Sequence, residues 1–282
     1  MRTIFLKRKD NFNPKDYVYR TALESDYSKL IKEDVTLIDE DTKKIIAVYF
    51  IIPKVPKEII QALFKIKYVK DKRLKGLITN SRIFGWRPRE VIRNDFCAAA
   101  SLASQSPKEH TDIINFGKIL TKYYKKFCPS IYKEHKKITE TKILKKWQIE
   151  DTPFSSGIIN KENALHYHFD SGNFVNVYSN QVGFRSNIKG GFLSIPEYDI
   201  GLEIGNKSVV LFDGQKILHG VTPIKKIGKH AYRYTIVYYT LKQMWNCEPL
   251  NIELARIKAR RTSVEQKRYK RLTGEIPNTI GK

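Results

Sequence analysis

Residues 166–173 read HYHFDSGN, and in this stretch His168 and Asp170 stand two positions apart. On a β-strand, alternate side chains share a face, so the imidazole and the carboxylate point the same way. That is the placement two ligands of one metal ion need. Forty-nine residues beyond Asp170, the text LFDGQKILHGVTP (residues 211–223) brings His219 in shortly after the apolar run Ser208 to Phe212. Two histidines and one carboxylate form the set that grips ferrous iron on one face and leaves positions open for an oxidant and a co-substrate. Arg233 follows His219 by 14 residues, at the start of another β-rich run. A guanidinium can hold a carboxylate through two parallel hydrogen bonds and is always charged. His166 shares the strand face of His168 and reads either as a structural residue or as a pocket group.

The text around these residues supplies the strands. Gly191 to Ile195, Ser208 to Phe212 and Tyr232 to Leu241 are short β-rich runs separated by Pro196, Gly205-Asn206, Gly214 and Gly220. Their spacing fits a sandwich or barrel. Nearer the start, Val35 to Asp39 and Lys44 to Ile52 flank a Glu-Asp-Thr turn and predict a hairpin with a fully buried second strand. Glu58 to Lys67 predicts a short helix. Ser106-Pro107-Lys108-Glu109 offers an N-cap, a proline at the first helical position and an acid in the first turn, for a helix toward Phe127. Ile252 to Arg271 reads as a basic helix and Gly274 to Lys282 as a frayed tail.

Charge is unevenly placed. The 282 residues hold 52 Lys and Arg against 29 Asp and Glu, a formal charge of +23. Residues 1–150 carry +15 and residues 251–282 carry +6, while residues 151–250, which hold the histidines and Arg233, carry only +2. A near-neutral core inside basic surroundings suits a polyanionic partner, nucleic acid above all. Thr121 to Trp147 is the densest stretch, with nine Lys against two Glu, interleaved with Tyr123, Tyr124, Phe127 and Tyr132. It predicts one helix with a basic face and an aromatic seam, and a plain solvated lysine-rich helix fits equally well.

The same composition excludes other classes. With 41% hydrophobic and 12% aromatic residues the chain is globular, not disordered or fibrous. No stretch reaches the roughly 18 apolar residues of a membrane span, and the apolar patch in MRTIFLKRKD is too short for a secretory signal, so a soluble intracellular protein is expected. Cys97, Cys128 and Cys247 are odd in number and far apart. They read as three unpaired, buried, apolar residues in a reducing cytoplasm, with no zinc knuckle or disulfide framework.

The order His-x-Asp, distant His, then Arg resembles the iron(II)/2-oxoglutarate oxygenases. The surrounding text is similar to their TET/JBP branch, whose members oxidise the methyl group of 5-methylcytosine or thymine in nucleic acid. HGVTP at His219 resembles that branch's His-x-x-Thr-Pro, and RYTIVYY at Arg233 resembles its Arg-x-Ser/Thr, aliphatic, aromatic, Tyr pattern. The resemblance implies an α+β protein, a double-stranded β-helix (jelly-roll) core with flanking helices. It implies Fe(II) on His168, Asp170 and His219, 2-oxoglutarate held by Arg233 and Thr235, and O2 as co-substrate. It places Asn173 and Tyr239 against a DNA base, hydrogen-bonding and stacking respectively. Read by themselves, those two are a turn residue beside Gly172 and a core strand residue.

FGWRPR at Phe84 to Arg89 resembles an arginine-bearing segment before the family core, which puts Arg87 or Arg89 near co-substrate or phosphate; an ordinary Arg-Pro turn is the other reading. Lys189-Gly190-Gly191 resembles the family's glycine pair and reads as structural. One departure stands out: Leu241 occupies the position where TET enzymes carry a cytosine-contacting His, so cytosine specificity is not carried over. The implied organisation is an N-terminal α/β extension (1–81), an oxygenase domain (82–250) and a basic C-terminal helix and tail (251–282). A methyl group in a duplex cannot reach iron inside a barrel, so a flipped or single-stranded base is implied. An oxygenase of the same chemistry acting on a small molecule, amino acid or peptide is the competing expectation.

Overall fold

The computed structural model describes residues 1–72, 76–89 and 96–272. From Ser156 onward the chain crosses repeatedly between two sheets. Ser156–Lys161, Ser179–Ser186, Ser208–Phe212 and Tyr232–Tyr239 lie side by side in a larger sheet. Leu165–His168, Leu193–Ile195, Ile200–Leu202 and His219–Val221 lie in a smaller one. All pairings among these eight strands are antiparallel. Followed along the chain, they alternate large, small, large, small, small, large, small, large, which is the winding of a double-stranded β-helix. The protein is thus α+β with a jelly-roll core.

The first part of the chain widens both sheets. Val35–Asp39 and Ile45–Ile51 form the expected hairpin, and Ile45–Ile51 pairs with Ser208–Phe212. Ile78–Arg87 pairs with Ser156–Lys161 on the other side, and Lys29–Ile31 joins the smaller sheet parallel to Ile200–Leu202. Among the described residues the larger sheet has ten strands.

Helices α1 (Lys57–Lys65), α2 (Leu102–Gln105), α3 (Pro107–Phe127) and α4 (Pro129–Lys142) pack on the outer face of that sheet, and α5 (Leu250–Leu272) follows the barrel. In α3 the apolar residues Ile113, Phe116, Leu120 and Tyr124 recur every three or four positions, so they form one stripe. That stripe packs with Ile59 and Leu63 of α1 on Val182, Phe184, Ile236 and Tyr238 of the sheet. Each such large side chain contributes roughly 1.5–3 kcal/mol by leaving water. Pro107 starts α3 as expected, and Ser106 precedes it without a side-chain cap bond.

The strand Tyr232–Tyr239 shows why the core forms where it does. Tyr234, Ile236 and Tyr238 face the helices, while Arg233, Thr235, Val237 and Tyr239 point between the sheets. At one end the space between the sheets is filled by Leu37, Tyr49, Ile195, Leu202, Val210 and Phe212 and their neighbours. At the other end it remains a cavity.

Two expectations fail here. The single helix over Thr121 to Trp147 is broken at Cys128-Pro129, because a proline cannot continue the hydrogen-bond ladder but suits the first turn of a new helix. Its aromatic seam is consumed in packing: Tyr123 and Phe127 lie 5.4 and 4.7 Å from the ring of Phe50. The second failure concerns the cysteines. Cys97 and Cys247, 150 residues apart in sequence, form a disulfide, and only Cys128 is a free buried thiol among the described residues. Sequence distance says nothing about spatial distance when a β-helix brings remote turns together. The inference to a reducing compartment, which rested on unpaired thiols, falls with it. The tail from Gly274 lies outside the described residues. No described helix is long and apolar enough to cross a membrane.

Candidate metal centre and its cavity

His168 ends its strand, and His219 begins the strand that pairs with it, so the register sets the two residues directly opposite. Their ring centroids are 4.4 Å apart. Asp170 lies just past the strand end, its backbone N–H donating to Gly214 O at 2.8 Å. Its Oδ1 is 3.7 Å from His168 Nε2 and 3.8 Å from His219 Nε2. One ligand atom from each residue falls within 4.8 Å of the others, and no other such group occurs among the described residues.

The imidazoles are oriented by their far nitrogens. His168 Nδ1 donates to His166 O at 2.8 Å and His219 Nδ1 donates to Ile217 O at 2.9 Å. With the proton on Nδ1, each ring presents Nε2, the nitrogen that can ligate, on the side of Asp170. His219 also packs edge-on against Phe212. Gly214 is required here: a Cβ on it would sit 2.2 Å from Asp170 Oδ2. Asn173 donates from Nδ2 to Asp170 Oδ2 at 3.3 Å, which steadies the carboxylate.

The cavity these residues line has a volume of about 250 Å³. Arg233, Thr235, Val237, Tyr239 and Leu241 form a row along one wall. Arg233 is 1% exposed. Its Nη2 donates to Gly191 O at 2.9 Å, but its Nε has no partner and no carboxylate of the described residues pairs with it. Burial, reinforced by the nearby Arg185 guanidinium, pushes its pKa down to about 9. A buried cation held this way calls for an anion from outside the chain. Gly191, at φ +70°, makes room, since a Cβ there would lie 2.7 Å from Arg233 Nε. Thr235 Oγ1 accepts from Asn160 Nδ2 at 3.5 Å.

All seven residues singled out in the sequence meet in this one cavity: His168, Asp170, His219, Arg233, Thr235, Asn173 and Tyr239. Others do not. Arg89 is bound to Glu253 at 2.9 Å, and Arg87 lies over the ring of Phe96; neither lines the cavity. Arg89 thereby fastens the end of Ile78–Arg87 to α5. His166 turns into a neighbouring hollow, offering the metal centre only its carbonyl. Sequence reading missed Asn160, Asn163 and Gln181, which add amides to the cavity wall. The alternation of Ser156–Lys161 opposite Arg233 and Thr235 is the signal that finds Asn160, which pairs in register with Thr235.

A β-helix with a two-histidine, one-carboxylate cluster and a buried arginine across the cavity defines a 2-oxoglutarate- and iron-dependent oxygenase. The profile of the Tet_JBP family, the oxygenase domain of the 2OGFeDO superfamily, matches residues 89–242, more than half of the chain, and the protein belongs to that family. It is therefore an enzyme, a dioxygenase using Fe(II) and 2-oxoglutarate, and the donor set and the buried guanidinium with its unpartnered Nε fit both. Comparison with curated proteins finds no match. Among solved structures the fold is similar to NgTET1 in complex with 5mC DNA, with a TM-score of 0.59 at 12% identity over 91% of this chain and 90% of that one. A 2OG-Fe(II) oxygenase family oxidoreductase from Burkholderia pseudomallei follows at TM-score 0.43 and 10% identity, covering 68% and 84% of the two chains. OsALKBH1 follows at 0.40 and 12%, covering 69% and 96%.

Proposed function

We propose that the protein hydroxylates the methyl group of a modified pyrimidine, 5-methylcytosine or thymine, in DNA. The observation that carries this reading is the layout of the wall formed by Tyr232–Tyr239. Arg233 and Tyr239 are six residues apart on one strand face, about 20 Å at the rise of a β-strand. An anion site therefore lies at one end of the cavity, an aromatic face at the other, and the His-Asp-His cluster opposite. When bound, iron, 2-oxoglutarate and O2 supply oxidation of a C–H bond to C–OH, with the keto acid leaving as succinate and CO2.

The chain's own residues do the rest. His168 and His219 present Nε2, and Asp170 an oxygen, to the iron; the carbonyls of His166 and Ile217 keep the rings in that tautomer. Arg233 and Thr235 hold the distal carboxylate of 2-oxoglutarate in a buried site, where charge pairing is strong and water is excluded. Tyr239 stacks on the base. Asn173 keeps Asp170 in place through Nδ2, leaving Oδ1, which has no partner among the described residues, for a polar edge of the base. Leu241 sits where a cytosine-reading group would be expected, which suits a methyl-bearing face. The base must leave the stack to enter, so a flipped or single-stranded nucleotide is the substrate form. The +23 charge supplies attraction to phosphate, and an intracellular location with access to DNA belongs to the same proposal.

The test is nucleoside analysis after incubation with iron, ascorbate, 2-oxoglutarate and DNA containing 5-methylcytosine, DNA without it, or no DNA. The expected result is a hydroxymethyl nucleoside, with DNA-stimulated succinate release, that vanishes in His168→Ala. Succinate without a nucleoside product from any nucleic acid would overturn the reading in favour of a small molecule, amino acid or peptide.

A further inference from the structure

A second hollow, of about 560 Å³, lies against the outer side of the wall that carries the metal centre. It shares Leu165, His168, Phe169 and Ser171 with the catalytic cavity. Two aromatic rings reach into it from different parts of the chain: Phe169, which separates His168 from Asp170 and is 37% exposed, and Tyr19, 46% exposed. The described lining contains no carboxylate.

Tyr19 is held there against its conformational preference. Its φ is +67°, in the left-handed region that a bulky side chain avoids. Its N–H donates to Tyr167 O at 2.8 Å, Tyr167 N–H donates to Arg20 O at 2.9 Å, and Thr21 bridges to His166. Residues 19–21 thus form an extra rung on the strand that ends in His168. Arg20 locks the rung, lying over the Tyr17 ring at 4.5 Å and pairing with Asp26 at 2.7 Å. Strained residues that a surrounding structure over-determines gather at ligand clamps.

We propose that Tyr19 and Phe169 form a stacking clamp for a nucleotide adjacent to the one being oxidised. This inference rests on the reading of the substrate as a base in a polynucleotide. The catalytic cavity is small, so when one base enters it the next must lie outside, and the second hollow is the space sharing its wall. Aromatic faces in a hollow whose described lining holds no carboxylate suit a nucleobase attached to phosphate, and the net charge of +23 favours the same occupant. A strand is then bound through at least two positions, one inside the barrel and one in the clamp, and a free nucleoside is a poor substrate.

The experiment measures oligonucleotide affinity by fluorescence anisotropy with the full chain, so that turnover is not needed. The strands are single-stranded and carry one 5-methylcytosine, with an intact base, or an abasic site, on its 5′ or 3′ side. Tyr19→Ala and Phe169→Ala are each expected to weaken binding of the intact strand about 10-fold or more, the usual worth of one base stacked on an aromatic ring. An abasic flank on one side is expected to cost the unaltered protein the same factor and the alanine variants nothing further. Equal affinity for intact and abasic strands, or variant losses that persist with the abasic strand, would overturn the clamp. Iron affinity, measured alongside, separates a clamp defect in Phe169→Ala from damage to the neighbouring ligands, and Tyr19→Ala tests the clamp away from them. Clamp-dependent binding with no hydroxymethyl product would uphold the clamp and sink the proposed reaction; no binding of any strand would sink both.

Discussion

At one end of the barrel Leu202, Ile195, Val210 and Tyr49 interdigitate between the two sheets; at the other the same sheets hold His168, Asp170, His219 and Arg233 around a cavity. The filled end removes apolar surface from water and keeps van der Waals contact on all sides, so it stabilises the fold. The cavity end does the opposite. It buries a guanidinium whose Nε has no partner and sets two imidazoles beside a carboxylate at distances that suit an ion and not a direct hydrogen bond. Because the two ends share strands, stability at the first keeps the second in an arrangement it would not hold alone.

The sharpest way to break this division is Asp170→Ala. If the open end is organised for a ligand and not for the fold, turnover should fall on the order of 10³-fold or more, beyond the 10–100-fold cost of altering a ligand's supporting partners. The thermal midpoint of the metal-free protein should stay level or rise, since a carboxylate with no cation of its own is removed. Succinate release and a melting curve check both. A midpoint lowered by many degrees with activity retained would make Asp170 a structural residue.

Leu202→Ala probes the filled end and should reverse the pattern. Leu202 is fully buried, so a cost of about 2–5 kcal/mol is expected for the lost contacts and the cavity left behind. Urea unfolding measures that cost, while turnover per folded molecule should change less than twofold. A large loss of turnover with little loss of stability would mean that the two ends are not separable.

The open end was far more legible in the sequence than the filled end. His168, Asp170, His219, Arg233 and Thr235 carry chemistry at fixed spacings, and strand alternation alone puts each spaced pair on one face. Val35 to Ile52 announced a hairpin by its apolar runs, yet nothing local said that it would pair with Ser208–Phe212, because that contact spans more than 150 residues. Asn160, Asn163 and Gln181 were missed for a related reason. An amide in a strand becomes a pocket group only through its cross-strand neighbours, and Asn160 needs Thr235 opposite it to be recognised. The disulfide is the extreme case, joining Cys97 to Cys247 through a fold that single-sequence spacing does not reveal. Proline at 129, in contrast, was a local signal to end a helix, and the lysine pattern across it masked the break.

The smallest expected effect concerns a buried polar group between the two regimes. His135 of α4 is fully enclosed, with Nε2 3.0 Å from Thr240 Oγ1, one residue beyond the strand that carries Arg233 and Tyr239. Burial pushes its pKa down to about 3, against about 6.5 in an unfolded chain. Between those values the unfolded chain binds a proton that the folded one refuses, so stability is complete above about pH 6.5 and falls as the pH drops toward 3. The slope from this one site is on the order of 1 kcal/mol per pH unit at most. His110, which accepts the Gly85 N–H, is shifted the same way by burial, while Glu197 and Asp213 are raised by burial and act in the opposite sense. The difference between the unaltered protein and His135→Gln isolates the site. The variant should be less stable at pH 7.5, where a well-packed neutral imidazole is lost, and its stability should fall less steeply between pH 6.5 and 4.5. Parallel slopes would mean that His135 takes up its proton in the folded state, and that this part of the core admits charge as the cavity end does.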